Sequence, residues 1–361
     1  MTNVVISLVT YNGEKYLQPC LESVLRQTYR DGALVILDNA SSDNTRDSIA
    51  KFAPAARIIA SEKNIGFARG HNEVIRQTQS EYVLVLNQDL VLEPDYLERC
   101  VNFLEQNPRV GSVTGLLLRV PSLTADAPRD IIDTYGIVLS KTMRAKDAGA
   151  GLPLALLSRR QKIMGVSGTA ALYRRSALED VAIDLPSIIL ATNAVECSSR
   201  RSRGSEKGVY GNTSLRTGAK NEEMCQPRSS YQEYFDEDFF MYKEDVDLAL
   251  RLQMRGWGAA AVPDARGYHV RTTDPALLKR PSALVNQWSY RNGIYILIKD
   301  VAVSHWLKYG VFICIYEGTK FLYLCIFERA TLGALADVWR NRKKMLAKRS
   351  YIMKRAKQDI A

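Results

Sequence analysis

The residues best placed to do chemistry in this 361-residue chain are carboxylates that follow apolar runs. Asn87-Gln88-Asp89 comes directly after "YVLVL". A carboxylate just past a buried strand is well placed to hold Mg²⁺ or Mn²⁺ against a diphosphate. The bland alternative for Asp89 is a loop carboxylate capping the next turn. "KEDVDL" puts Glu244, Asp245 and Asp247 at the start of a helical pattern. A carboxylate there can serve as a general base, although acidic residues also settle at helix N-termini because the dipole stabilises them. His269 is one of three histidines, with His71 and His305. A lone histidine is usually structural until a partner is named, and Asp89 is the partner expected here. Asp38 closes another apolar run and could accept the N3–H of a uracil or thymine ring; otherwise it closes an Asx turn over "DNASSD". "NIGFARGHN" (64–72) offers Asn64, a tight turn at Gly66, a helix N-terminus suited to anions, and Arg69 for a diphosphate.

Such groups need a scaffold, and the first 120 residues supply an alternating one. Strand-like runs at 4–9, 33–37, 57–60 and 82–86 are separated by helical patterns at 14–27, about 44–52, 66–78 and about 95–106. Leu17, Leu21, Val24 and Leu25 recur at helical spacing. Alternating elements imply a parallel sheet with helices on both faces, whose ligands bind beyond the carboxyl ends of the strands. Those ends read "TYN" (Thr10, Tyr11, Asn12), "DNASSDNT", "SEKNIGFARG" and "NQD", all polar. Residues 112–118 and 168–173 are strand-like, and 244–255 reads as a helix stopped by Gly256. The stretch 183–232 is rich in Ser, Arg, Gly, Asn and Thr without periodicity, and is expected to be a mobile insert.

Composition narrows the function classes. Apolar residues at 46% give an ample core, and charged residues at 24% exclude global disorder. The net charge of +10 suggests an anionic partner, and nine Lys/Arg without Asp/Glu lie between Arg340 and Lys357. No helix-turn-helix, RNP-like or zinc pattern accompanies the charge, so nucleic acid is not the expected partner. Six scattered cysteines without CxxC fit reduced thiols in a cytosolic protein. The N-terminus lacks a signal-peptide pattern. The most apolar stretch, 309–327, is interrupted by Glu317 and Lys320.

Taken together, "SLVTYN", "LDNASSDNT", "NIGFARGHN…YVLVLNQD" and "FDEDFFMYKEDVDLALRLQMRGW", in that order, resemble the family 2 glycosyltransferases of the GT-A fold. The resemblance covers about residues 3–180 and 233–275. It is strongest to rhamnosyltransferases and galactofuranosyltransferases that build bacterial surface polysaccharides. It implies an α/β, mostly parallel central sheet with helices on both faces and a C-terminal helical extension. It also implies a metal-dependent (Mn²⁺ or Mg²⁺), inverting transfer from a nucleoside-diphosphate sugar to a saccharide or lipid-linked acceptor. By position, Thr10, Tyr11, Asn12, Asp38, Asn64, Gly66, Arg69 and Asn87 would bind the donor. Asp89 and His269 would bind the metal. Asp245 would be the base, with Glu244 beside it and Asp247 in reserve.

The family's DxD motif stands here as Asn87-Gln88-Asp89, without its first carboxylate. The QxxRW signature of processive synthases is absent, which points to transfer of one or few sugars. The expected division is a transferase domain over 1–275 and a helical, aromatic-rich, basic membrane-association region over 276–361. That region would hold the protein on the cytoplasmic face of the cell membrane through an anionic surface. Two other classes are weighed. A nucleotidyltransferase would show a Gly-rich cluster with Lys or Arg near the first strand. A sugar-nucleotide-binding scaffold would have lost catalysis but kept the fold.

Overall fold

The computed structural model describes residues 2–123, 128–157, 162–184, 231–271 and 282–358. Most of the expected mobile insert, 185–230, lies outside the described residues. Its two ends are joined by a short antiparallel pair, β11 (Ile183–Asp184) with β12 (Gln232–Glu233).

β1 (Val4–Thr10), β2 (Gly32–Asp38), β3 (Arg57–Ala60) and β4 (Tyr82–Leu86) lie parallel in the order β3-β2-β1-β4. β1 and β4 are almost wholly buried, as expected of strands covered on both faces. Val4, Ile6 and Leu8 face a core that includes Leu17, Leu21 and Val24 of α1 (Glu14–Leu25) and Leu97, Val101 and Leu104 of α4 (Tyr96–Gln106). Each such side chain contributes about 1.5–3 kcal/mol on burial. Val5 faces the other way, toward Val74 of α3 (Gly66–Arg76). α2 (Thr45–Phe52) completes the alternation.

Beyond β4 the sheet turns mixed, where a mostly parallel one was expected. β10 (Ala170–Arg174) runs antiparallel to both β4 and β6 (Val110–Arg119). β13 (Gly258–His269) is parallel to β6, and β5 (Leu90–Leu92) antiparallel to β13. β7 (Ile131–Thr134) pairs antiparallel with β6, and β8 (Ile137–Leu139) with β9 (Ala145–Asp147) forms a separate hairpin. The regular strand–helix alternation lapses after residue 111, and among the described strands only β13, which follows the helices Arg175–Val181 and Glu244–Met254 in the chain, returns parallel to β6. β13 also runs past Pro263. The proline sits at an irregularity between Val262 and Arg266, where no ladder donor is needed.

α5 (Arg175–Val181) and α6 (Glu244–Met254) pack on the second sheet face through Leu178, Leu248 and Leu252. The opposite side of α6, Val246 and Leu250, packs with Tyr295, Ile296, Ile313 and Met345. These belong to α7 (Ala283–Lys299), α8 (Val303–Phe327) and α9 (Ala334–Arg355). Among the described residues α8 is the helix long and apolar enough, by length and composition, to cross a membrane, and only 11% of its apolar window is buried.

The basic tail was expected to face outward and instead turns partly inward. Lys348 is fully buried and paired with Glu233 and Asp238 at 2.8 and 2.7 Å, and with Asp236. Lys344 also pairs with Asp238, and Arg349 donates to the carbonyls of Ile298 and Val301. The acidic "EYFDED" segment that precedes α6 draws these cations in, which a count of tail charges does not reveal.

Candidate active site

The carboxyl ends of β1, β2 and β4 open into a cleft of about 560 Å³, within the range of small-molecule sites. Its walls include Tyr11, Asn39, Asn64, Asn87, Asp89 and Asp245, with His269 also lining it. Three of the expected positions reach it from the first βα units. Tyr11 is exposed at the mouth. Asn64 accepts the Gly66 N–H at 2.9 Å, tying the turn ahead of α3. Gly66 has φ +82, and a Cβ there would lie 2.5 Å from the Phe240 carbonyl oxygen. Only glycine meets both demands.

Thr10, Asn12, Asp38 and Arg69 are not among the cleft-lining side chains. Thr10 Oγ1 donates to Gln88 Oε1, which also accepts the Tyr11 N–H at 3.1 Å. Asn12 takes φ +47 and its Oδ1 accepts from Ser42 N–H at 2.9 Å. Asp38 is fully buried; its oxygens accept from Ser41 N–H at 3.1 Å and from Arg46 Nε. Arg69 lies 3.7 Å from Glu237 and 3.8 Å from Glu73. These residues brace the loops, and Asn39, one residue beyond Asp38, is the one that lines the cleft.

Asp89 and His269 are brought together by strand register. His269 pairs with Leu90 across β13 and β5, and the Val270 N–H donates to the Asp89 carbonyl at 3.1 Å. Nε2 of His269 is then 3.4 Å from Asp89 Oδ1. Nδ1 is 2.8 Å from Asp133 Oδ2, and Oδ1 of Asp133 is 2.6 Å from Arg271 Nε. Burial pulls the imidazole pKa down, but the hydrogen bonds and charges of Asp133 and Asp89 outweigh it and raise the pKa to about 9. The chemistry of this pair fits a divalent cation. With Nδ1 held by a buried carboxylate, Nε2 is aimed at the carboxylate of Asp89, the usual second-shell arrangement of a metal-binding histidine. Among the described residues no group of three or more His, Cys, Asp and Glu is arranged around one ion. Asp89 and His269 are the two side chains that would hold such an ion.

Asp245 faces the same cleft. Oδ2 accepts the Gly168 N–H at 3.0 Å and Oδ1 accepts the Val246 N–H at 2.8 Å. Burial is the largest influence and Asp147 adds to it, so the carboxyl is raised to about 6 despite those two bonds. Glu244 is buried, with Oε2 unpartnered, and burial plus Asp245 push its pKa well above the usual range. Asp247 points away from the cleft, into a buried network with Arg251 at 2.7 Å and with Lys299. The arrangement sets Asp245, raised to about 6, beside a carboxyl that burial pushes well above its ordinary value.

Two participants escaped the sequence. Gln88 couples the end of β1 to the Asp89 loop. Asp133 fixes His269; a carboxylate inside the strand-like "DIIDTY" was the available signal.

The sequence profile described as Glycosyl transferase family 2 matches residues 5–182. A poly-beta-1,6-N-acetyl-D-glucosamine synthase of Staphylococcus epidermidis is 31% identical over 180 residues, 48% of this chain and 40% of that protein. An uncharacterized glycosyltransferase of Haemophilus influenzae is 25% identical over 117 residues, 32% of this chain and 36% of that protein. The chain thus spans less than half the length of these relatives. A crystal structure of GalNAc-T7 with UDP, GalNAc and Mn²⁺ matches with a TM-score of 0.53 at 10% identity, covering 83% of this chain and 48% of that one. That likeness bears on the fold, which is GT-A. Residues 5–182, just under half of the chain, form a glycosyl transferase family 2 domain.

Proposed function

We propose that this protein is an inverting glycosyltransferase that moves a hexosyl unit from a nucleoside-diphosphate sugar to a saccharide or lipid-linked acceptor in surface-polysaccharide synthesis. The observation that carries this reading is the joining, in one cleft, of Asp245 with the Asp89–His269 pair. Asn64, Asn87, Tyr11 and the Gly66 turn would receive the donor, while Thr10, Asn12 and Asp38 hold the loops beneath it. Arg69 serves α3 and Glu237 rather than the diphosphate.

Asp245 takes the proton of the acceptor hydroxyl as that oxygen attacks the anomeric carbon from the face opposite the diphosphate. One displacement inverts the anomeric configuration. Asp89 and His269 would hold Mn²⁺ or Mg²⁺, which supplies charge stabilisation to the departing diphosphate. Asp133 keeps the imidazole oriented, and burial favours the neutral form of Glu244 beside the base. The missing first carboxylate of the DxD motif is answered in part by Gln88, which ties the loop to β1.

The sequence resemblance favours a rhamnose- or galactofuranose-like donor. A second reading, N-acetylglucosamine, follows from the staphylococcal synthases. Residues 276–361 form the membrane-association part, on the cytoplasmic face. α8 supports an in-plane placement. It touches the body near one end, where His305 Nε2 meets the Lys141 carbonyl at 2.9 Å, and near the other, where Leu324 is buried with Tyr290. A helix seated along its length leaves one face for lipid and keeps Glu317 and Lys320 off the bilayer centre, where each ion costs about 2.5 kcal/mol or more.

The test is a panel of nucleoside-diphosphate sugars, scored for thermal stabilisation of the full chain and then for transfer with Mn²⁺ or with excess EDTA. Stabilisation by one donor and EDTA-sensitive transfer are expected. Stabilisation without any transfer would leave the scaffold reading, and full activity in EDTA would remove the metal from the account.

A further inference from the structure

Lys243 immediately precedes the two cleft carboxylates of α6 and is not used by the mechanism above. Its backbone is left-handed, φ +67, as are Phe240 at +63 and Tyr242 at +69. Non-glycine residues in this region cost of order 1–3 kcal/mol each and persist only where the surroundings impose them, commonly at functional sites. The loop aims the ammonium toward α7. There Nζ donates to the Ser289 carbonyl and fills the space over Gly293, where a Cβ would lie 3.0 Å away. Lys320 of α8 approaches the same stretch, its Nζ 4.6 Å from the centre of the Tyr290 ring. Arg144, from the β8–β9 turn, stacks 4.4 Å over Tyr316, one helical turn before Lys320. Among the described residues none of these three cations has a carboxylate within 4 Å in an ion pair.

We propose that Lys243, Lys320 and Arg144 form a site for the diphosphate of a lipid-carried acceptor, at the seam where the cleft meets the outer face of α8. Lys243 lines the cleft together with Asp245, so an anion held here presents its attached sugar to the base. The occupant is argued from two sides. Lys243 and Lys320 both feel Glu317, with Asp245 also acting on the first and Glu328 on the second, and Arg144 adds a third positive charge that a phosphate group would engage. Burial, then Lys320 and Arg144, lower the Lys243 pKa to about 7, with Glu317 and Asp245 opposing, and an anion bound beside it would favour the charged form. On the other side, Leu307, Phe312, Ile315, Leu322 and Ile326 are exposed on α8. A free saccharide uses neither feature; a diphosphate with a hydrocarbon tail uses both. The donor's diphosphate belongs to the Asp89–His269 end. This proposal rests on the glycosyl-transfer reading for its acceptor.

The experiment uses the full chain with phosphatidylcholine vesicles carrying farnesyl diphosphate, charge-matched vesicles carrying phosphatidylglycerol, and inorganic diphosphate in solution. The expected result is affinity about tenfold higher for farnesyl diphosphate vesicles than for charge-matched ones, a difference of about 1.4 kcal/mol. Lys243→Gln and Lys320→Gln should each abolish that preference. Arg144→Gln, on an exposed side chain that folding does not need, should reduce it several-fold. Binding of a nucleoside diphosphate should fall less than twofold in each variant. No preference in the unaltered chain would overturn the site. Equal competition by inorganic and farnesyl diphosphate would overturn the lipid source. A parallel loss of nucleoside-diphosphate binding would reassign Lys243 to the donor. A preserved preference in a protein that transfers no sugar would uphold the site and remove the transfer reading, so the two failures are distinct.

Discussion

Asp245 accepts two backbone N–H bonds, which favour its ionised form, yet burial and Asp147 hold it at about 6. The group therefore gains its charge as pH rises through about 6, and kcat/KM should climb about tenfold per pH unit below that value and level off above it. Asp245→Asn should lower transfer by at least about 10²-fold while donor affinity changes only a few-fold. Burial and then Asp245 raise the Glu244 pKa well above its ordinary value, which favours the neutral form, so Glu244→Gln should retain transfer within a few-fold. A hundredfold loss in Glu244→Gln with Asp245→Asn still active would exchange the two roles. At the other end, Asp89→Ala should weaken a nucleoside-diphosphate donor more than the free nucleoside. Asp133→Asn should lower Mn²⁺ affinity about 10–100-fold, read by titration of Mn²⁺ alone, because the imidazole loses its orienting carboxylate.

At the scale of elements, α6 carries Asp245, the proposed base, and is clamped from both sides. Its sheet-facing side buries Leu248 and Leu252, and its other side meets the C-terminal helices. Lys299 of α7 and Lys348 of α9 reach the loop before α6 through Asp236, and Lys299 also reaches Asp247. Removing one partner of a buried pair leaves the rest uncompensated, at about 3–5 kcal/mol. Lys348→Met should therefore lower Tm by roughly 10 °C. An unchanged Tm would show that the network does not brace α6.

The first four strands and their helices were legible in the sequence to within a few residues, because buried parallel strands and amphipathic helices impose different periods. The short strands β5, β7, β8 and β9 were not, since they lie outside the strand–helix alternation that makes the four-residue β3 readable. The pairing of Asp89 with His269 was legible in residue type, but its geometry depends on the β5–β13 register, which no local signal sets. Asp38 and Arg69 show the converse. Their types suit a ligand, and the structure shows them also bonded to Ser41, Arg46 and Glu237, partners that no local pattern announces.

Across the whole molecule, the cleft, the basic seam and the exposed side of α8 follow one another from the carboxyl edge of the sheet toward the C-terminal helices. Association with membranes should depend more on α8 than on the tail, because Lys344, Lys348 and Arg349 are engaged within the protein. Binding to anionic vesicles should fall at least about tenfold when Leu307, Phe312 and Ile326 are all replaced by Asp, with Tm unchanged. Equal binding by that variant would place the contact elsewhere. The central claim is that Asp245 drives a single inverting displacement within a family 2 scaffold. Its most direct test is to follow a labelled sugar from the donor that stabilises the full chain onto an acceptor, and to determine the anomeric configuration of the product. The account predicts inverted product from the unaltered protein and none above background from Asp245→Asn. Retained configuration, or near-normal transfer by Asp245→Asn, would contradict it.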